Sequence, residues 1–307
     1  MIKIFGHKSP DTDSTGSPII WEWYLNEIAQ MPAQACLLGP PSNEALFVLD
    51  HWGFEQPPTI DGVEEGDEVV IVDTNNVDEL PEGIGKASII QIIDHHLLQG
   101  GLSTSKPIEI TMRPVACTAT VMHDLMGDSA RDMPSPIRGM MLSCILSDTL
   151  AFRSPTTTSH DRILATNLAS GLGVDISEFS SQMFAAKSDV SMFSDAELLL
   201  QDSKRYQVGG KWLRITVLET TTPEQALARK SGLMNAMNAV ADREATDQIL
   251  LFVVDILNNQ STLLVPNSFA AGIALLSFDV EADADAILLP GVVSRKKQII
   301  PCLKVPA

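Results

Sequence analysis

The sequence predicts an α/β protein, with an N-terminal, mostly parallel sheet and covering helices followed by a smaller C-terminal α/β domain. Over the first two thirds of the chain, short apolar runs alternate with amphipathic segments, the pattern of a parallel sheet and its crossover helices. Several of these runs end directly in Asp or His, as strands of an open sheet do where they meet a ligand crevice. With 307 residues the chain exceeds what one core commonly organises, so two domains are expected.

Ile2 to Phe5 reads as the first strand, followed by a polar loop and a helix from about Ser14 to Ala29. Gly16 and Pro18 suggest a loose start to that helix. Ala35 to Leu38 suits a second strand, Gly39-Pro40-Pro41 breaks it, and Ser42 caps a helix that ends near Gly53. Glu68 to Val72 and Ser88 to Ile93 are buried strands running into Asp73 and Asp94, and Ile108 to Met112 is another. Helices follow at about Cys117 to Met126, Pro136 to Thr149, His160 to Ser170 and Ile176 to Ala186. The polar stretch Lys187 to Ser191 separates the last of these from a helix beginning near Ser194, giving domains 1–188 and 193–307 with a flexible linker at about 188–192. The remainder reads as strands at Tyr206 to Val208, Trp212 to Glu219, Gln248 to Ile256 and Ser261 to Val265, with a long helix through Gly232 to Asp242. Two final strands, Ala286 to Leu289 and Gln298 to Leu303, flank a turn containing Arg295-Lys296-Lys297.

Composition narrows the function classes. Apolar residues make up 45% and charged residues 20%, ordinary values for a globular protein. Against 21 Lys and Arg stand 39 Asp and Glu, a formal charge of −18 that repels phosphate backbones and argues against nucleic-acid binding. The four cysteines form no CxxC pair, which fits a reducing compartment and neither a disulfide framework nor a zinc knuckle. The polar N-terminus and the absence of any apolar run of membrane-spanning length lead to the expectation of a cytoplasmic protein with no membrane partner.

Four polar clusters carry the chemistry: His7 with Asp11 and Asp13, Asp73, Asp94-His95-His96, and Asp148. One Asp after a strand is usually a helix cap or turn residue. The set is different, because the ends of parallel strands converge on one crevice. Carboxylates mixed with imidazoles suit Mn²⁺, Mg²⁺ or Co²⁺, and more than four such ligands exceed what one ion with open positions needs. A two-metal site is the economical reading, with a carboxylate such as Asp73 bridging ions roughly 3.5 to 4 Å apart. His51, His123 and His160 have no partner at ligand spacing, and Cys117 has no neighbouring base, so all four read as structural.

The motifs Gly6-His7-Lys8-Ser9-Pro10-Asp11-Thr12-Asp13, Asp73, Ile92-Ile93-Asp94-His95-His96, Pro114 to Thr120, Leu146-Ser147-Asp148-Thr149 and Ser294-Arg295-Lys296-Lys297-Gln298 span nearly the whole chain. Together they resemble the family II, manganese-dependent inorganic pyrophosphatases of the DHH phosphoesterase superfamily, with a DHHA2-type C-terminal domain. The DHH motif indicates the superfamily, and the closing SRKKQ the pyrophosphatase branch.

The resemblance implies hydrolysis of pyrophosphate to two phosphates by a metal-activated water in an interdomain cleft. By it, His7, Asp11 and Asp73 hold one metal, and Asp13, Asp73, His95 and Asp148 the other. It also implies two Mn²⁺ per subunit (Co²⁺ being the alternative), Mg²⁺ accompanying substrate, and a homodimer formed through the first domain. His96 would face substrate, and Arg295, Lys296 and Lys204 would bind its phosphates and act in catalysis. The sequence departs from the family in reading Thr74-Asn75-Asn76 where His-Asn-Glu is usual, and Arg153 where Lys is frequent. Rival readings are another DHH phosphoesterase, although the Gly-rich GGGH motif of its nuclease-like members is absent, and a metal-dependent phosphate sensor.

Overall fold

A computed structural model describes residues 1–99, 101–281 and 284–306. The chain divides into two compact units, Met1–Ala186 and Lys187–Ala307. In the first, β1 (Ile2–Phe5), β2 (Ala33–Ala35), β3 (Glu68–Val72), β4 (Ser88–Asp94) and β5 (Glu109–Met112) form one sheet of order β2-β1-β3-β4-β5, every pair parallel. The strands are the apolar runs of the sequence, buried because helices cover them. The chain reverses its winding between β1 and β3, the place where open sheets of this order leave a crevice at the carboxyl ends of the strands. Register brings those ends level, with Phe5 opposite Ile71 and Val72 opposite Ile93.

The helices of this unit are α1 (Thr12–Trp23), α2 (Asn43–Trp52), α3 (Thr118–Met126), α4 (Ser135–Asp148), α5 (Ser159–Leu172) and α6 (Ile176–Lys187). Helix α1 starts two residues before the expected Ser14, because the Asp11 carboxylate caps it by accepting the Ser14 N–H at 2.9 Å. Its start is not loose. Gly16 is buried where α1 meets α4, and a Cβ there would lie 2.4 Å from Cys144 Sγ and 2.8 Å from Met140 Sδ. The glycine thus permits a close helix crossing and sets the separation of the two helices. Helix α1 continues as a π-helical turn, Tyr24–Ile28. Strand β2 lies slightly earlier than the expected Ala35 to Leu38, with Leu37 reduced to a single bridge to Thr59 ahead of Gly39-Pro40-Pro41.

The second unit holds a mixed sheet of β6 (Ser203–Val208), β7 (Lys211–Thr220), β8 (Gln248–Asp255), β9 (Gln260–Leu264) and β10 (Ala286–Pro290), in the order β10-β9-β8-β7-β6. Its helices are α7 (Asp195–Leu198), α8 (Pro223–Leu227), α9 (Lys230–Arg243) and α10 (Ser268–Phe278). The alternation of β8 separates two cores. Ile249, Leu251 and Val253 pack with Leu233, Met237 and Val240 of α9, while Leu250, Phe252 and Val254 pack with Ala270, Ile273 and Ala274 of α10. The segment read as a linker is bonded to this unit: Ser188 Oγ lies 3.0 Å from Thr221 Oγ1, and Arg229 donates to the carbonyls of Val190 and Phe193 at 2.8 Å each.

One expected strand is absent. Gln298 to Leu303 forms a π-helical turn (Arg295–Ile299) and a short helical turn (Ile300–Cys302) instead. Gln298 folds back, its Oε1 accepting the N–H groups of Val293 and Ser294 at 2.9 Å each, and Pro301 has no N–H for a ladder.

Candidate metal centre

The three strand ends deliver the site. β1 runs into His7, β3 into Asp73 and β4 into His95 and His96, while Asp13 lies in the first turn of α1 and Asp148 is the last residue of α4. The structure brings these residues into three groups whose donor atoms lie within 4.8 Å of one another: His7 with Asp11 and Asp73, Asp73 with His95 and His96, and Asp13 with Cys117 and Asp148. Asp11, Asp73, His95, His96 and Asp148 line one cavity of about 400 Å³, with Leu97, Val115, Ala116 and Thr156 completing its wall.

Asp73 sits at the centre, and its two oxygens face different imidazoles. Oδ2 lies 3.6 Å from His7 Nε2, and Oδ1 lies 3.4 Å from His95 Nε2. Its backbone is left-handed (φ +57°), a conformation unfavourable for a residue with a Cβ, and it is anchored by the Asp73 N–H donating to Ile93 at 2.9 Å. Thr118 adds two bonds, its hydroxyl to Asp73 Oδ1 at 3.0 Å and its N–H to Asp13 Oδ2 at 2.7 Å.

The imidazoles are oriented from behind. His7 Nδ1 lies 2.7 Å from the Lys8 carbonyl and His95 Nδ1 lies 3.2 Å from that of Val115. A carbonyl only accepts, so each Nδ1 carries the proton and each Nε2 faces the carboxylates as a donor for a metal. His96 differs, because its Nδ1 bonds Asp94 Oδ1 at 2.9 Å and its ring is half exposed. Asp94 is fully buried and also accepts the N–H groups of His95 and His96. Burial raises its pKa, but the bonds from His96 and Asn75 outweigh that and hold it below the ordinary value.

The electrostatics favour a cation among these side chains. Burial, followed by the charges of Asp13 and Asp11, pushes the Asp73 carboxyl well above its usual range. Asp148 is raised in the same way, first by burial and then by Asp13, Asp11 and Asp73. Its buried Oδ2 has no hydrogen-bond partner among the described residues. Burial lowers the pKa of His7, yet the hydrogen bond and charge of Asp11 and the charge of Asp73 raise it to about 9. Crowded carboxylates with imidazole nitrogens among them suit divalent ions of hard-to-borderline character. The Cys117 thiol, pushed up by burial and by Asp13 and Asp148, stays protonated.

The three cations marked in the sequence lie in the second unit. Lys204 is exposed on β6, Lys296 is exposed in the turn after Ser294, and Arg295 is mostly buried and paired with Asp202. Sequence reasoning missed Asn75, whose amide donates to Asp94 Oδ2 at 2.5 Å and to the Leu97 carbonyl at 3.0 Å while accepting the Gln99 N–H at 2.7 Å. Its sequence signal is that it stands two residues after Asp73, at the Asn of the family's usual His-Asn-Glu. Thr74, where the family usually has His, bonds Glu79 Oε2 at 2.8 Å.

A parallel sheet that gathers carboxylates and imidazoles around Asp73 is the frame of a DHH-class protein able to hold metal ions. Family models agree, the DHH family N-terminal domain matching residues 1–147 and the DHHA2 domain residues 181–305. The chain is 36% identical to the probable manganese-dependent inorganic pyrophosphatase of Deinococcus radiodurans, across 99% of this chain and 98% of that protein. It is 33% identical to the protein of the same name from Lactobacillus johnsonii, across 98% and 96%. A solved Methanococcus jannaschii structure, described as a "putative family II inorganic pyrophosphatase", superposes with a TM-score of 0.63 at 32% identity, covering 98% of this chain and 97% of the other. The chain belongs to the manganese-dependent, family II inorganic pyrophosphatases.

Proposed function

We propose that six side chains of the first unit hold two divalent ions for the hydrolysis of inorganic pyrophosphate to two phosphates: His7, Asp11 and Asp73 for one, and Asp13, Asp73, His95 and Asp148 for the other. The observation that carries this reading is Asp73, with one oxygen turned to the Nε2 of each flanking imidazole. When bound, the ions supply Lewis acidity towards phosphate oxygens and lower the pKa of water. Mn²⁺ is the resident ion, Co²⁺ a substitute, and Mg²⁺ accompanies the substrate.

The residues of the chain bind, orient and move protons. His96 hydrogen-bonds Asp94 through its Nδ1–H, which raises its pKa and favours the imidazolium; in that form Nε2 carries a second proton, which it donates towards the leaving phosphate. Arg295 binds phosphate oxygens through its planar fork, and Lys204 and Lys296 supply point charges for the same oxygens. Leu97, Val115 and Ala116 limit water in the cavity beside the carboxylates.

The protein works in the cytoplasm as a homodimer formed through the first unit. Strand β5 supports this assembly, since it is an edge strand with Ile110 56% exposed. Among the described residues, no helix is long and apolar enough to cross a membrane.

The test is phosphate release from metal-stripped protein reloaded with Mn²⁺, comparing pyrophosphate with tripolyphosphate, a dinucleotide and a nucleoside bisphosphate, and repeating with Asp73→Asn. Selective pyrophosphate cleavage that the variant loses supports the reading. Preference for another phosphoester overturns the substrate, and an Asp73→Asn protein with full activity overturns the ligand set.

A further inference from the structure

Glu44 occupies the first turn of α2, where a carboxylate ordinarily stays in water and complements the helix dipole. Here it is fully buried. Burying a carboxylate is costly unless hydrogen bonds replace its hydration. Those bonds come from two distant places: Glu44 Oε2 accepts the Thr12 hydroxyl at 3.0 Å and the Ser147 hydroxyl at 2.8 Å. Thr12 lies between Asp11 and Asp13, and Ser147 immediately precedes Asp148. One oxygen atom therefore ties the start of α1 to the end of α4, the two helix ends that carry three of the six ligands. The start of α2 is itself docked on the same loop, since the Ser42 N–H donates to the Pro10 carbonyl at 3.0 Å.

We propose that Glu44 is a positioning residue for the metal centre: through Thr12 and Ser147 it fixes the spacing of Asp11 and Asp13 against Asp148 before any ion arrives. The proposal rests on the ligand set given above and goes beyond it, because Glu44 touches neither ion nor substrate. Without this tie, the mutually repelling carboxylates of α1 and α4 spread apart, and each ion has to draw them together at the expense of affinity. Residues behind a ligand shell commonly change metal affinity by about 10- to 100-fold when removed.

The experiment titrates metal-stripped protein with Mn²⁺ and follows free Mn²⁺ by electron paramagnetic resonance, with a thermal melt of each metal-free variant as a folding control. Glu44→Ala weakens Mn²⁺ binding by about tenfold or more. Thr12→Val combined with Ser147→Ala weakens it in the same direction, and provides the reading if Glu44→Ala does not fold. Glu44→Gln keeps the shape and one carbonyl acceptor, and recovers most of the affinity lost in Glu44→Ala.

Wild-type Mn²⁺ affinity in a folded Glu44→Ala protein, or in the folded Thr12→Val, Ser147→Ala pair, overturns the proposal. Asp148→Asn in the same titration separates the two readings. If it loses Mn²⁺ binding while the Glu44 variants keep it, only the positioning role fails. If it too binds as wild type, the ligand set fails and the positioning role fails with it.

Discussion

Asp202 holds the guanidinium of Arg295 at two points, its Oδ1 accepting Nη2 at 2.7 Å and its backbone carbonyl accepting Nη1. The carboxylate is the more exposed partner, at 59% against 11% for Arg295, and its backbone has a positive φ of 28°. Lys204 follows two residues later on β6, so one elbow of chain carries both a cation and the clamp on another. Asp202→Ala removes the carboxylate contact and leaves only the backbone carbonyl, so the Arg295 fork gains other rotamers. The expected result is a KM for pyrophosphate raised by about tenfold, about 1.4 kcal/mol, with Mn²⁺ affinity unchanged. Arg295→Lys does not restore a normal KM in either background, because an ammonium lacks the two-point fork. Steady-state kinetics at saturating Mn²⁺ checks both.

Asn75 supports the DHH turn through Asp94, which in turn holds the ring of His96. Asn75→Ala leaves the buried Asp94 Oδ2 without this donor, at a cost of about 1 to 3 kcal/mol in stability. Because the turn positions His96 as well as His95, kcat falls further than Mn²⁺ affinity. Parallel measurement of the melting temperature, kcat and Mn²⁺ binding separates these effects, and an unchanged kcat contradicts the positioning.

The metal-free protein has a defined pH response. His7 titrates near 9 when folded, against an ordinary value of 6.5, so its stabilising contribution is complete below about pH 6.5 and is lost as pH rises to 9. The raised carboxyls of Asp73 and Asp148 act with the same sign, since the folded protein holds their protons more tightly than the unfolded chain. The melting temperature in EDTA therefore falls between pH 6.5 and 9. Mn²⁺ competes with the same protons, so its binding strengthens over that interval. Scanning fluorimetry with EDTA and with Mn²⁺ tests both signs.

Gly16→Ala places a methyl group against Cys144 Sγ and Met140 Sδ. Overpacking of this kind costs about 1 to 3 kcal/mol, seen as a lowered melting temperature. Adding Cys144→Ala recovers part of the loss, and the non-additivity of the pair measures the contact.

What the sequence made legible follows from distance along the chain. The strands before His7, Asp73 and Asp94 were visible because each is a compact apolar run stopped by a polar residue, and Ser42 marked the start of α2 by its capping chemistry. Helix α10 went unnoticed because Ser268–Phe278 is apolar on nearly every face and lacks a helical period. Gln298 to Leu303 reads as a strand but folds as helical turns, because that fold depends on the Gln298 side chain reaching back to backbone groups. Glu44, Asn75 and Asp202 share one cause of invisibility. Each acts through hydrogen bonds to partners elsewhere in the chain, and no local spacing encodes them.

The strand order also governs when the centre comes into being during folding. The donors proposed for it come from chain segments spread between His7 and Asp148, brought level only after β1, β3 and β4 have paired and α4 has docked. Such a pocket cannot serve as an early nucleus, since its contacts close the longest loops of the first unit. Manganese capture thus reports on a finished first unit, and a nascent or partly unfolded chain holds the ion weakly.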